Sequence, residues 1–181
     1  MLKTILKMKK TLKILVLFSV MVAFSTAAYA QVSETAAATA VIVSPITITF
    51  ATDLEFGNIA AGAVAGTVVL SPAGVRTPTN VTLPAITGTV TAASFTVGGT
   101  PGYTYSITLP AGATTISNGA QTMTVDTWTS DPTPEGTIEA GGTQILYVGA
   151  TLSVGANQAS GTYSSSTAGG SGDFTVTVNY N

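Results

Sequence analysis

The sequence predicts an all-β protein, built as a two-sheet β-sandwich. Beyond residue 30 the chain contains 30 threonines and 19 glycines, and β-branched residues favour strands whereas glycine favours turns. The same part of the chain has no segment of about a dozen residues with helical periodicity. It has instead about eight short segments of alternating apolar and polar residues, separated by turn residues, and that spacing is typical of a sandwich.

The first thirty residues are predicted to be a secretory signal peptide. Five of the six basic residues lie in the first thirteen positions, and the apolar run Ile14–Phe24 follows them. Small residues then end in an A-x-A pattern, so cleavage is expected between Ala30 and Gln31. Translation starts at either Met1 or Met8. We expect an exported protein, in the periplasm or at the cell surface. No later apolar stretch is long enough to span a membrane, so none is expected in the mature chain.

Alternating side chains predict the strands, and turn residues predict where they end. Ser44-Pro45 separates the first two strands because proline cannot donate a hydrogen bond to a neighbouring strand. Asn118-Gly119 is the strongest hairpin signal, since both positions tolerate a positive φ. The predicted strands are Val32–Ile42, Ile46–Phe50, Thr67–Leu70, Thr89–Val97, Tyr103–Leu109, Gln121–Trp128, Gln144–Val154 and Asp173–Asn181.

Three segments need separate interpretation. Gln144–Val154 is apolar on both parities, which predicts either a central strand buried on both faces or a strand that spans a bend in a sheet. Val75–Pro84 contains two prolines and an asparagine and is predicted to be irregular. Asp131–Gly136 also contains two prolines and is predicted to be a loop.

The first and last predicted strands contain the candidate assembly residues. Residues 31–45 are predicted to be an extended N-terminal strand ahead of a sandwich domain at residues 46–181. A terminal strand can pair with the exposed edge of a neighbouring domain, which is β-augmentation. Both strands can equally complete their own sandwich, and the pattern leaves these interpretations open. The candidate donor residues are Val32, Ala36, Ala38, Ala40 and Ile42, and the candidate assembly-strand residues are Phe174, Val176, Val178 and Tyr180.

Two unusual residues receive structural interpretations. Arg76 is the only basic residue beyond the signal peptide. We expect it to anchor its own loop by donating hydrogen bonds to backbone carbonyls or to an acid, in preference to a role in ligand contact. Trp128 is out of parity with Met123 and Val125, which predicts a core residue at a bulge in preference to an exposed contact residue.

The chain beyond the signal peptide is poor in the groups that catalysis needs. It has one basic residue and eight acids, a formal charge of −7, with no histidine and no cysteine. Ser-His, Cys-His and Ser-Lys arrangements are therefore impossible, and nucleic-acid binding is not expected because one cation forms no basic patch. We predict a protein that is not an enzyme and has no cofactor and no metal ion.

Carboxylate chemistry remains as a weaker alternative. Asp53 with Glu55, or Asp131 with Glu135, would be the candidate pair of a minor hydrolase. The same oxygens could bind calcium, but their spacing matches no calcium-loop signature. Solvated loop acids are the preferred interpretation.

Six groups of residues follow one another over nearly the whole mature chain: Leu54–Ile59, Gly66–Thr77, Tyr105–Pro110, Tyr147–Leu152, Asn157-Gln158 with Gly161-Thr162-Tyr163, and Phe174–Asn181. Together they resemble the bacterial domain-of-unknown-function family 4402 (DUF4402). More distantly, Phe56-Gly57 and the penultimate Tyr180 are similar to spore-coat-U-like and chaperone–usher pilin domains, although the chain lacks the cysteine pair common in pilins. That similarity implies an immunoglobulin-like sandwich, a donor strand at Val32–Ile42, an acceptor groove bordered by Phe174–Tyr180, and a periplasmic chaperone as partner.

Two functions follow as hypotheses. The first is an exported structural subunit of the cell surface, pilin- or coat-like, which assembles by strand donation with copies of itself or related subunits and has an adhesion role. The second is a self-contained secreted sandwich that binds a carbohydrate or another surface ligand. Its contact residues would be the aromatic side chains near Tyr103, Trp128 or Tyr163.

Overall fold

The computed structural model describes residues 7–10, 13–14 and 32–181. Residues 7–10 and 13–14 are helical and exposed. The rest of the predicted signal peptide, including the expected cleavage position between Ala30 and Gln31, lies outside the described residues. The chain divides into two compact units, Met1–Val41 and Ile42–Asn181. Within the described ranges, no helix is both long and apolar enough to cross a membrane.

Ten strands make up the unit Ile42–Asn181. They are β1 (Thr47–Thr52), β2 (Gly66–Leu70), β3 (Arg76–Thr79), β4 (Ala93–Gly98), β5 (Thr104–Thr108), β6 (Thr114–Ser117), β7 (Thr122–Asp131), β8 (Glu135–Thr137), β9 (Thr143–Val154) and β10 (Thr177–Tyr180). Seven strands form the larger antiparallel sheet, and the smaller one has the order β10-β5-β8. The predicted all-β sandwich of two sheets is confirmed.

The longest strand, β9, lies at the centre of the larger sheet. One of its edges pairs with β7. The other edge pairs first with β4, over residues 143–148, and then with β2, over residues 150–154. Gly149 lies between these partners, and a Cβ atom there would overlap the carbonyl oxygen of Leu70. The absence of a side chain at Gly149 therefore allows β2 to approach β9 where the partner changes.

One face of β9 is buried along its whole length from residue 146. Leu146, Val148 and the even-numbered residues that follow are at most 4% exposed, whereas Ile145 and Tyr147 are 42% and 43% exposed. The prediction of a strand buried on both faces is therefore wrong. A long strand that serves two successive partners explains the apolar run instead.

The first hydrophobic core lies between the smaller sheet and the part of the larger sheet formed by β1, β4 and the start of β9. Tyr105 of β5 is fully buried in it, and its hydroxyl donates to Gln144 Oε1 at 2.9 Å, so the phenol keeps a hydrogen bond inside the core. The buried members of this core are Ala93, Val97, Tyr105, Ile138, Leu146, Val148, Val176 and Val178.

The second core continues along the same face of β9. Strands β2 and β7 flank it, and side chains from residues 54–61 and 81–90 pack over it. These two covering segments are joined by backbone hydrogen bonds, including Ala60 N–H to Thr82 O at 2.9 Å. The buried members are Phe56, Val68, Leu70, Val125, Ala150, Leu152 and Val154.

Arg76 links β3 to residues 54–61, one of the two segments that pack over the second core. Its Nη1 donates to the carbonyl oxygen of Phe56 at 2.8 Å and to that of Asn58 at 3.0 Å. The predicted hydrogen bonding to backbone carbonyls is confirmed. The prediction that Arg76 anchors its own loop is wrong, because the carbonyls that it holds belong to an earlier part of the chain.

Trp128 is half-buried beside a β-bulge. The register between β7 and β9 shifts between Asp126 and Thr129, and Thr127 has φ +51°. The extra residue brings Trp128 to the inner side of the sheet, where it packs against both cores. Its Nε1 donates to the carbonyl oxygen of Gly112 at 3.1 Å, in agreement with the predicted core role.

The hairpin predicted at Asn118-Gly119 is confirmed, and it joins β6 to β7. Gly119 has φ +89°, a conformation that glycine adopts without steric cost. The Asn118 Oδ1 accepts hydrogen bonds from the backbone N–H groups of Ala120 and Gln121 at 2.9 Å and 2.7 Å. The asparagine thus closes the turn with its own side chain.

The structure also corrects several predicted elements. Residues 32–46 carry no strand, so the predicted strand Val32–Ile42 belongs to neither sheet. β3 lies in the segment predicted to be irregular, and β8 begins in the predicted loop. The strand predicted from Asp173 begins only at Thr177. Each difference has the same cause, because a strand forms where another strand is available to pair with it, and alternation alone does not show this.

We expect Gly149→Ala to lower the free energy of unfolding by about 1–3 kcal/mol, because the added methyl group must displace the backbone at Leu70. Urea unfolding followed by Trp128 fluorescence measures the effect. Gly141→Ala is the matched control, since a Cβ atom there has no neighbour within 4 Å. Equal unfolding midpoints for the two variants would show that Gly149 is not required at the partner change.

Replacing Arg76 with methionine should lower the free energy of unfolding by about 2 kcal/mol, because two charge-assisted hydrogen bonds to Phe56 and Asn58 are lost. Arg76→Lys is the control that keeps the charge and can reach one carbonyl, so an intermediate value is expected. Both are measured by urea unfolding. A methionine variant as stable as the parent protein would contradict the anchoring role.

Candidate assembly surface

The N-terminal extension, residues 32–42, has its apolar side chains in solvent. Val32 is 83%, Val41 87% and Ile42 97% exposed. The alanines of the predicted donor face, Ala36, Ala38 and Ala40, are also exposed, and the segment has no secondary structure. A run of exposed apolar side chains in an otherwise ordered protein commonly marks a contact with a partner.

β1 and β10 each have an edge without a strand partner in the described chain, as do β3, β6 and β8. β1 pairs only with β4, and β10 pairs only with β5. The two strands belong to different sheets and lie close together without backbone pairing. We call the side of the sandwich bounded by β1 and residues 174–180 the open seam. An unpaired edge of this kind presents N–H and C=O groups to which another strand can bond.

The open seam is lined by apolar side chains at the margin of the first core. Phe50 is 59% exposed and meets Phe95 edge-on, with ring centroids 6.4 Å apart. Phe95 in turn meets Phe174 at 6.4 Å. This row of rings crosses from β1 to the segment that precedes β10. Ile46, Ile48, Ile107 and Leu109 are also only partly buried against the same core.

The predicted assembly strand presents its apolar face to the first core. Val176 and Val178 are 8% and 7% exposed, and Phe174 and Tyr180 are half-buried. The residues between them are exposed. This alternation follows the sequence pattern. Because β10 pairs only with β5, its other backbone edge is open to an added strand.

Tyr180 closes one end of the open seam. Its hydroxyl accepts a hydrogen bond from the Thr100 N–H at 2.8 Å and donates to the Ser44 carbonyl oxygen at 3.0 Å. The ring packs edge-on against Tyr103 at 5.7 Å. These contacts fix the backbone two residues after the extension ends.

The carboxylates considered for hydrolysis or calcium binding are solvent-exposed. Asp53 and Glu55 follow β1, and Asp131 and Glu135 stand at the two ends of the connection between β7 and β8. Among the described residues, no group of three or more His, Cys, Asp or Glu side chains is placed to hold a metal ion.

The aromatic residues considered for glycan contact each take part in packing or hydrogen bonding within the sandwich. Tyr103 is 44% exposed but packs against Tyr180. Trp128 packs against Phe174 with the ring planes tilted by 37° and the centroids 4.5 Å apart. The Tyr163 hydroxyl donates to the Ala159 carbonyl oxygen at 2.8 Å.

The sequence does not reveal β1 as the second border of the open seam. Alternation shows which side chains share a face, but it does not show which strand lies at a sheet edge. Phe50 and Phe95 come together only through the register between β1 and β4. The one available signal is a phenylalanine on the inward parity of each of these two strands.

A family model described as "Domain of unknown function (DUF4402)" matches residues 46–180. This range begins one residue before β1 and ends with the last residue of β10, so it contains both sheets and both borders of the open seam. No curated protein and no solved structure matches the chain. The more distant similarity to spore-coat-U-like and pilin domains stays a prediction. The match covers most of the chain, and the protein therefore belongs to the DUF4402 family.

Proposed function

We propose that this protein is an exported, non-enzymatic structural subunit of a cell surface, pilin- or coat-like, whose copies are joined by strand donation and contribute to adhesion. One observation carries the proposal. The extension is an alternating segment with exposed apolar side chains and no sheet, and the sandwich has an open seam with two unpaired edges. The extension can supply a strand to the unpaired edges, and the seam can bury the apolar side chains of the extension.

The donated strand would add to the free edge of β10 or of β1 and direct Val32, Ala36, Ala38, Ala40 and Ile42 towards the row of phenylalanine rings. The alanines are small enough for the strand to approach the rings closely. Burial of the larger Val32 and Ile42 side chains stabilises the joint by about 1.5–3 kcal/mol each. Backbone hydrogen bonds to the unpaired edge add to this and fix the direction of the strand.

Donor and acceptor are different surfaces of one chain. A contact between two such surfaces is heterologous, so it can repeat from subunit to subunit without closing. A linear assembly is therefore the expected product. The N-terminal lysines and apolar run support export. A periplasmic chaperone would be a fitting partner before assembly, because an exposed apolar edge promotes aggregation.

The face of the extension that enters the seam provides the sharpest test. Ala38→Asp places a charge on the donor face and should reduce assembly at least tenfold, because the carboxylate would be buried without a partner. Thr39→Asp adds the same charge one residue away, on the opposite face, and should leave assembly unchanged. Native protein is run in SDS gels without boiling, and a ladder that collapses on heating reports the assembled subunits.

Deletion of residues 32–42 should abolish the ladder, and a synthetic peptide of the same residues should bind to the deleted protein. Equal effects of Ala38→Asp and Thr39→Asp would contradict insertion of one face into the seam. A single band at the monomer mass for the native protein would contradict strand donation and would favour the self-contained ligand-binding sandwich.

A further inference from the structure

Part of one edge of β9 is also unpaired, away from the open seam. β7 pairs with β9 only as far as Asp131, which is opposite Tyr147. At Pro132 the chain leaves the larger sheet and continues to β8 in the smaller one. Residues 143–146 pair with β4 on one side, and within the described chain no strand pairs with them on the other. Alternate residues of a strand direct their N–H and C=O groups to each edge, so this edge can bond an added strand.

The unpaired edge forms one wall of an open cleft of about 320 Å³. Ile145 and Tyr147 line it with side chains that are 42% and 43% exposed. Asp131 and Glu139 add two carboxylates. The Oε1 of Gln144, which also lines the cleft, already accepts hydrogen bonds from the Tyr105 hydroxyl and the Thr137 N–H, each at 2.9 Å, so its amide NH₂ group is the part left to donate.

We propose that this cleft, bounded by Asp131, Glu139 and Tyr147, binds an extended, positively charged peptide segment of another protein. The segment would pair with the β9 edge through its backbone. A lysine or arginine of the segment lays its aliphatic stem on Ile145 and the Tyr147 ring and places its charged end between the carboxylates. This site is separate from the open seam and does not depend on strand donation.

Charge decides which ligand fits. Arg76 is the only basic residue of the unit Ile42–Asn181, and its guanidinium donates to two backbone carbonyls. The unit thus supplies no other cation for Asp131 and Glu139. The extension is the wrong occupant, because residues 32–42 contain Glu34 and no lysine or arginine. A neutral glycan would use the Tyr147 ring but has no use for an unpaired strand edge.

The probe is a fluorescent six-residue peptide of alternating valine and lysine, blocked at both ends, added to the full-length protein at low ionic strength. Binding is followed by fluorescence anisotropy. The double variant Asp131→Asn with Glu139→Gln should bind at least tenfold more weakly, and Tyr147→Ala several-fold more weakly. Glu55→Gln with Asp173→Asn is the matched control, since it removes the same charge outside the cleft and should change the dissociation constant less than twofold. Added salt should weaken binding by the parent protein.

Other outcomes overturn the proposal. Equal binding of a peptide with glutamate in place of lysine would remove the charge argument. Equal binding of a peptide with proline in place of valine would remove the pairing with the β9 edge. Amide chemical-shift changes are expected at residues 143–147, and changes confined to other strands would place the ligand elsewhere. Deletion of residues 32–42 should leave peptide binding intact, so failure of strand donation and failure of this site are separate results.

Discussion

The sandwich depends on one strand face being shared by two hydrophobic cores. The even-numbered residues of β9 from 146 to 154 are all buried, the first two in one core and the last three in the other. β9 can do this only because the strand next to it changes at Gly149, where β2 replaces β4. A side chain at this position would push β2 away and separate the two halves of the larger sheet.

The same arrangement explains why the domain has exposed strand edges. Neither sheet is closed, and the smaller sheet covers only one of the two cores, so β1 and β10 end up side by side without pairing. β7 departs from β9 at Asp131 for a similar reason, because the chain must cross to the smaller sheet. The open seam and the cleft beside β9 differ in chemistry. The open seam is lined by phenylalanine rings, and the cleft is lined by two carboxylates and a tyrosine. The two surfaces therefore suit different partners.

Features that depend on neighbouring residues in the chain could be predicted from the sequence. The all-β class, the Asn118-Gly119 hairpin and the displaced parity of Trp128 all have local causes in turn chemistry and alternation. The role of Arg76 was accessible by elimination, because a lone cation in an acidic chain must be satisfied by carbonyls or acids. Features set by distant pairing were not predictable. β3 forms at an edge where Pro78 is tolerated opposite Val68, and Asp131 meets Tyr147 only through the β7–β9 register.

Arg76 gives the domain a form of acid tolerance. The amide carbonyls of Phe56 and Asn58 that receive its hydrogen bonds carry no titrating proton. An arginine bound to an aspartate in the same place would lose its partner's charge as the pH falls through the carboxyl range. The link between β3 and the segment that packs over the second core therefore contains no carboxylate whose protonation would break it.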